Sequence, residues 1–142
     1  MQTIENARTI LLGEDDLEVR SYLEMALKCQ GYSVEVAQDG EEVLACLQDG
    51  QVPISAILLD IVMPRKDGLE ALKEIRRLDG NIPVIMISGA SSPLSVVEAM
   101  KNGATDFMAK PVNRFFQAIV IVTVIHHNGH RSSLPAFPAS AI

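Results

Sequence analysis

Six positions in this chain have types and spacing that could do chemistry. Glu14 and Asp15 follow the apolar run Thr9 to Gly13, and Asp60 closes the run Ile54 to Leu59. Ser88-Gly89 end a fourth run and Lys110 follows a fifth. A carboxylate is costly to bury, so a buried segment that ends on one needs it there. Three carboxylates held close together would raise one another's pKa values unless a cation intervenes. A hard divalent ion with oxygen ligands suits them, and Mg²⁺ fits two or three carboxylates with waters. The Mg²⁺ and Lys110 charges would then offset the three acids. Such a site could accept a phosphoryl group, with a carboxylate as nucleophile forming an acyl phosphate. Phosphoryl transfer needs mainly positioning and charge neutralisation. Mg²⁺, the Lys110 ammonium, the Ser88 hydroxyl and the Gly89 N–H are the groups available for the phosphoryl oxygens.

The elements that must position these groups are legible as an alternation. Apolar, β-branched runs occur at Thr9–Gly13, Ser33–Ala37, Ile54–Leu59, Ile82–Ser88 and Thr105–Ala109. Helical patterns lie between them at Asp16–Gln30, Glu41–Gln48, Leu69–Leu78 and Pro93–Lys101, with a fifth helix expected after Pro111. Strands alternating with helices predict right-handed crossovers and a parallel sheet covered on both faces. In such a sheet all strands end at one edge, so the polar groups converge there, where ligands sit in open α/β folds. The first, third and fourth runs are apolar throughout, as central strands buried on both faces are. The second alternates, with Val34 and Val36 predicted inward and Ser33 and Glu35 outward, as on an edge strand.

Local signals mark the boundaries. Gly31 and Gly103 read as helix C-terminal caps, Asp16 as the cap of the first helix, and Ser92-Pro93 as a cap followed by a first-turn proline. The third helix should bury Leu69, Leu72, Ile75 and Leu78 and expose Glu70, Lys73, Glu74 and Arg77.

Composition narrows the function classes. The chain has 142 residues, 48% of them hydrophobic, enough for one domain with one core. With no Trp, packing must rest on Ile, Leu, Val, Ala and Met. The net charge of −6 argues against a nucleic-acid surface, which needs a basic patch. Cys29 and Cys46 lack metal-ligand spacing and read as reduced core thiols of a cytosolic protein. The N-terminus shows no signal-peptide pattern. The longest apolar stretch, Phe115 to Ile125, falls short of the roughly 20 residues a membrane helix needs. Residues 1–127 read as the domain and 128–142, with Gly129, Pro135 and Pro138, as a flexible tail. His126, His127 and His130 read as surface histidines without a role. The run Ile119 to Ile125 has poor helix propensity; a helix there would be apolar on nearly every side, and a partner chain or the tail would have to cover it.

The chain resembles the response-regulator receiver domains of two-component signalling, of the single-domain, chemotaxis-regulator kind. The matching pieces are Ile10-Leu11-Leu12-Gly13-Glu14-Asp15-Asp16, Leu58-Leu59-Asp60-Ile61-Val62-Met63-Pro64 with Asp67-Gly68, Val84-Ile85-Met86-Ile87-Ser88-Gly89, and Asp106-Phe107-Met108-Ala109-Lys110-Pro111. The resemblance implies a flavodoxin-like (βα)₅ fold, a doubly wound parallel α/β sheet of five strands in the order 2-1-3-4-5. It implies Asp60 as phosphoacceptor, Glu14, Asp15 and Asp60 with the Val62 carbonyl as Mg²⁺ ligands, and Lys110 as the phosphate-binding lysine. Ser88 and Phe107 would be the switch residues, and the Lys110-Pro111 peptide would be cis. The implied partners are a histidine kinase or phosphotransfer protein as donor and a downstream protein target. A homodimer through the fourth helix, fifth strand and fifth helix also fits that resemblance. Glu14 and Ser88 stand where Asp and Thr are also common, and Phe107 lacks the hydroxyl of a frequent Tyr. Two alternatives come from other classes. One is a Mg²⁺-dependent phosphatase with an Asp nucleophile, for which the position of a second acid is occupied by Val62. The other is a receiver module cut from a longer regulator or hybrid kinase.

Overall fold

The computed structural model describes residues 8–89 and 93–111. Five strands, β1 (Thr9–Gly13), β2 (Ser33–Ala37), β3 (Ile54–Asp60), β4 (Val84–Ser88) and β5 (Asp106–Ala109), form one sheet in the order β2-β1-β3-β4-β5. All neighbouring strands are parallel. Helices α1 (Leu17–Cys29), α2 (Gly40–Asp49), α3 (Gly68–Leu78) and α4 (Pro93–Lys101) alternate with them. The fold is therefore the flavodoxin-like α/β arrangement that the family resemblance implies, built on the parallel strand–helix alternation that the sequence pattern predicts.

Strand periodicity sorts the core into two layers, because successive side chains leave a strand on opposite faces. Leu11, Ile57, Leu59, Val84 and Met86 pack with Val43, Leu44, Ala71, Leu72, Ile75 and Ala99 from α2, α3 and α4. Ile10, Leu12, Ala56, Leu58, Ile85, Ile87 and Met108 pack on the other face with Leu23 and Leu27 of α1. β1 and β4 are buried along their whole length. This is the signature of strands covered on both faces.

The helix ends follow their local chemistry. Asp16 caps α1, accepting from the backbone N–H groups of Glu18 and Val19. Asp67 caps α3 through the N–H of Glu70. Gly31 and Gly103 both have positive φ, as their capping role requires. α2 begins one residue before the predicted Glu41, because Asp39 supplies its cap.

Three expectations are corrected. Val36 is 41% exposed rather than inward; β2 pairs with β1 alone, and Val34 is the residue of this strand that packs partly against the α1 layer. Leu78 is 54% exposed: it continues the stripe of Ala71, Leu72 and Ile75 but is the last residue of α3, past the part of that stripe that is buried. Cys29 is an exposed thiol at the last turn of α1, not a core residue, and Cys46 is half-buried. The expected cap at Ser92, the fifth helix, the Ile119 to Ile125 run and the tail lie outside the described residues.

Candidate phosphoryl-acceptor site

The sheet register brings the acidic residues together. Gly13 of β1 is opposite Leu59 of β3, so the next residues, Glu14 and Asp60, leave adjacent strands side by side. Glu14, Asp60 and Lys110 share the parity of Leu12, Leu58 and Met108. All three thus leave the sheet on the α1 side, just past the last apolar layer. Glu14 is fully buried and Asp60 is 3% exposed.

Lys110 is the cation between them. Its Nζ lies 2.9 Å from Glu14 Oε2 and 3.1 Å from Asp60 Oδ2. The backbone N–H of Lys110 donates to the Ser88 carbonyl at 2.8 Å, which carries β5 alongside β4 up to the site. The Lys110-Pro111 peptide is cis, as the family resemblance implies. Asp15 is exposed, yet one carboxylate oxygen from each of Glu14, Asp15 and Asp60 falls within a common span of 4.8 Å. Arg20 of α1 fixes the loop that carries the acidic pair, donating from Nη1 to the carbonyls of Glu14 at 3.0 Å and Asp15 at 3.4 Å.

The electrostatics follow from burial. Desolvation pushes the Glu14 carboxyl up to about 7; Lys110 opposes this and the Asp60 charge adds to it. Burial works to lower the Lys110 pKa, but its bonds to Glu14 and Asp60 outweigh that, and the ammonium is raised. Glu14 Oε1 accepts from the Asp16 N–H at 3.1 Å. Oε2 is buried with the ion pair to Lys110 but no aligned hydrogen bond. A buried oxygen in that condition has coordination capacity to spare. Three carboxylates are the hard donor set a Mg²⁺ ion takes, so the residues present fit that ion.

Ser88 and Gly89 stand at the end of β4 beside Lys110, whereas Phe107 lies on the opposite face of the sheet from Glu14, Asp60 and Lys110. Ser88 is 1% exposed at the end of β4, and Gly89 follows it at the surface. Phe107 is half-buried and packs against the core layer on the α2–α4 side. The Val62 side chain is 63% exposed, and its N–H donates to Asp60 Oδ1 at 3.3 Å. A cavity of about 700 Å³ opens beside Lys110, lined by Glu18, Val19, Tyr22, Gly89, Lys110 and Pro111.

Gly68 shows why a glycine must follow Asp67. A Cβ there would collide with the Asp60 carbonyl oxygen, and the Gly68 N–H closes the loop on the Ile61 carbonyl at 2.8 Å. Sequence reasoning missed Asp39, Arg65 and Arg20. Asp39-Gly40 ahead of an amphipathic segment carried a readable cap signal, but its contact with Arg65 depends on the tertiary fold.

The chain belongs to the response regulator receiver domain family, whose profile matches residues 10–119. The transcriptional regulatory protein CpxR of Klebsiella pneumoniae subsp. pneumoniae (strain HS11286) is 42% identical over 104 residues, covering 73% of this chain and 43% of that protein. Response regulator MprA of Mycobacterium sp. (strain KMS) is 37% identical over 102 residues, 72% of this chain and 44% of that protein. The chain thus spans less than half the length of these curated relatives. Among solved structures, a CheY-like receiver domain protein from Methanospirillum hungatei JF-1 matches with a TM-score of 0.82 at 26% identity, over 89% of this chain and all of that one. NtrX from Brucella abortus matches with a TM-score of 0.79 at 30% identity, over 87% of this chain and 28% of its own. Receiver domains are two-component signalling modules that partner histidine kinases, and they are generally non-enzymatic. The pocket of Glu14, Asp15 and Asp60 is typical of their phosphoacceptor site, and the acidic cluster is consistent with their Mg²⁺ site. Among the described residues, no helix is long and apolar enough to cross a membrane.

Proposed function

We propose that Asp60 is the phosphoacceptor of a two-component phosphorelay and that its phosphorylation switches a protein-binding surface. The observation that carries this reading is the nearly buried Asp60 carboxylate, 3.1 Å from the Lys110 ammonium and clustered with Glu14 and Asp15 at the carboxyl edge of the sheet. A carboxylate oxygen of Asp60 attacks phosphorus. The P–N bond of a phosphohistidine donor breaks, its electron pair stays on the imidazole nitrogen, and an acyl phosphate forms. Lys110 bonds a phosphoryl oxygen, and the Gly89 N–H offers a further donor. Glu14, Asp15 and Asp60, with the Val62 carbonyl, would hold Mg²⁺, which when bound neutralises charge on the phosphoryl oxygens.

In this reading Ser88 and Phe107 carry the switch. Ser88, at the end of β4, moves toward the new phosphoryl group, and Phe107 turns further inward. The surface of α4 and β5 changes with them. The donor is a histidine kinase or phosphotransfer protein and the readout is a downstream protein. A phosphatase with an Asp nucleophile lacks its general acid here, because Val62 holds that position.

Beryllofluoride with Mg²⁺ tests the reading by mimicking the acyl phosphate. Saturable chemical-shift changes at Asp60, Ser88 and Phe107 are expected, and Asp60→Ala should abolish them. An unchanged response in Asp60→Ala would overturn the assignment.

A further inference from the structure

The loop from Ile61 to Asp67 contains a backbone conformation that needs explaining. Arg65 has a φ of 64°, in the left-handed region that side chains disfavour. Such a residue persists where surrounding contacts over-determine it. Here the contacts come from α2. Arg65 Nε donates to Asp39 Oδ2 at 2.8 Å, and the Asp39 side chain is 1% exposed while that of Arg65 is 71% exposed. The other Asp39 oxygen caps α2, accepting from the Glu42 N–H at 2.9 Å.

The backbone is fastened beside this pair. The Gly40 N–H donates to the Lys66 carbonyl at 2.9 Å, and a Cβ on Gly40 would collide with the same oxygen. Lys66 Nζ pairs with Glu41 at 3.6 Å and with Glu74 of α3. At the loop's inner end, the Gly68 N–H holds the Ile61 carbonyl. Val62 therefore lies in a short span tied at both ends. Its outer tie runs through a buried carboxylate and a strained arginine, neither of which touches the acidic cluster.

We propose that Arg65 and Asp39 are positioning residues: their ion pair latches the β3–α3 loop to the start of α2, fixes the path of the segment carrying the Val62 carbonyl, and thereby sets the divalent-cation affinity of the acidic cluster. This rests on the metal reading given above. The Arg65 side chain is 71% exposed and Asp39 keeps its bond from the Glu42 N–H when Arg65 is removed, so the effect should appear in the loop and the metal affinity more than in global stability.

The test uses Arg65→Gly, which accepts the positive φ but deletes the pair, and Asp39→Asn, which keeps a good helix cap, together with the double variant. Amide hydrogen exchange at Gly40 and Gly68 is read without metal, and Mg²⁺ affinity is read by calorimetry. Each single variant should exchange faster at Gly40 and bind Mg²⁺ roughly threefold to tenfold more weakly, and the double variant should be no worse than Arg65→Gly. Unchanged exchange and affinity in the variants, beside normal wild-type binding, would overturn the latch alone. No Mg²⁺ binding by the wild type would overturn the metal reading itself, and with it the latch's role in affinity.

Discussion

The Lys110 ammonium lies 2.9 Å from Oε2 of Glu14, a side chain that is fully buried. This pair joins the first and last strands of the described sheet to the same point, with Asp60 between them. Removing Lys110 strips Glu14 of the interaction that most opposes its burial. In Lys110→Met the Glu14 carboxyl should therefore titrate at higher pH than in the wild type. Carbon-detected NMR of the glutamate carboxyl checks this, and a lowered value would contradict it.

The same carboxyl makes stability depend on pH. Glu14 titrates at about 7 in the folded state against an ordinary 4.5, so the folded chain binds its proton more tightly than the unfolded chain. Its contribution is fully present below the unfolded value and is lost as pH rises through the folded one. In EDTA, the stability of wild type relative to Glu14→Gln should fall between about pH 5 and about pH 8. Urea denaturation at a series of pH values measures that difference.

Gly68 should tolerate no side chain. A Cβ there meets the Asp60 carbonyl oxygen, the backbone of the proposed acceptor itself. Gly68→Ala should cost about 1–3 kcal/mol in urea denaturation, the usual range for overpacking. It should also slow phosphorylation by displacing Asp60.

Arg76 joins the end of α3 to the turn before β5. Its Nε donates to the Gly103 carbonyl and its Nη1 to the Ile82 carbonyl, both at 2.7 Å. Arg76→Ala leaves both acceptors unpaired and should cost about 1–3 kcal/mol. Arg76→Lys should recover little, because a single ammonium cannot serve the same forked geometry. Thermal or urea denaturation of the two variants decides this.

Much of the fold was legible because buried parallel strands leave a strong trace. The apolar runs Thr9–Gly13 and Ile54–Leu59 located β1 and β3, and the polar residues that follow them located Glu14 and Asp60. Parity then accounts for the convergence, since residues just past aligned strand ends share a face. Exposure was less legible at the margins. Val36 and Leu78 are apolar residues at an edge strand and a helix end, where the covering element runs out. Cys29 sits at the same kind of margin, on the last turn of α1. The Arg65–Asp39 pair was invisible because it joins residues 26 apart in the chain through a left-handed turn. Nothing in the type of either residue announces the other.

The most direct test of the central claim is chemical trapping of the acyl phosphate. The protein is incubated with acetyl phosphate and Mg²⁺, reduced with borohydride, and mapped by peptide mass spectrometry. The account predicts that Asp60 is the residue converted to homoserine, and that conversion is lost with EDTA or in Asp60→Asn. Conversion at another carboxylate in the wild type, or undiminished conversion in Asp60→Asn, would contradict it.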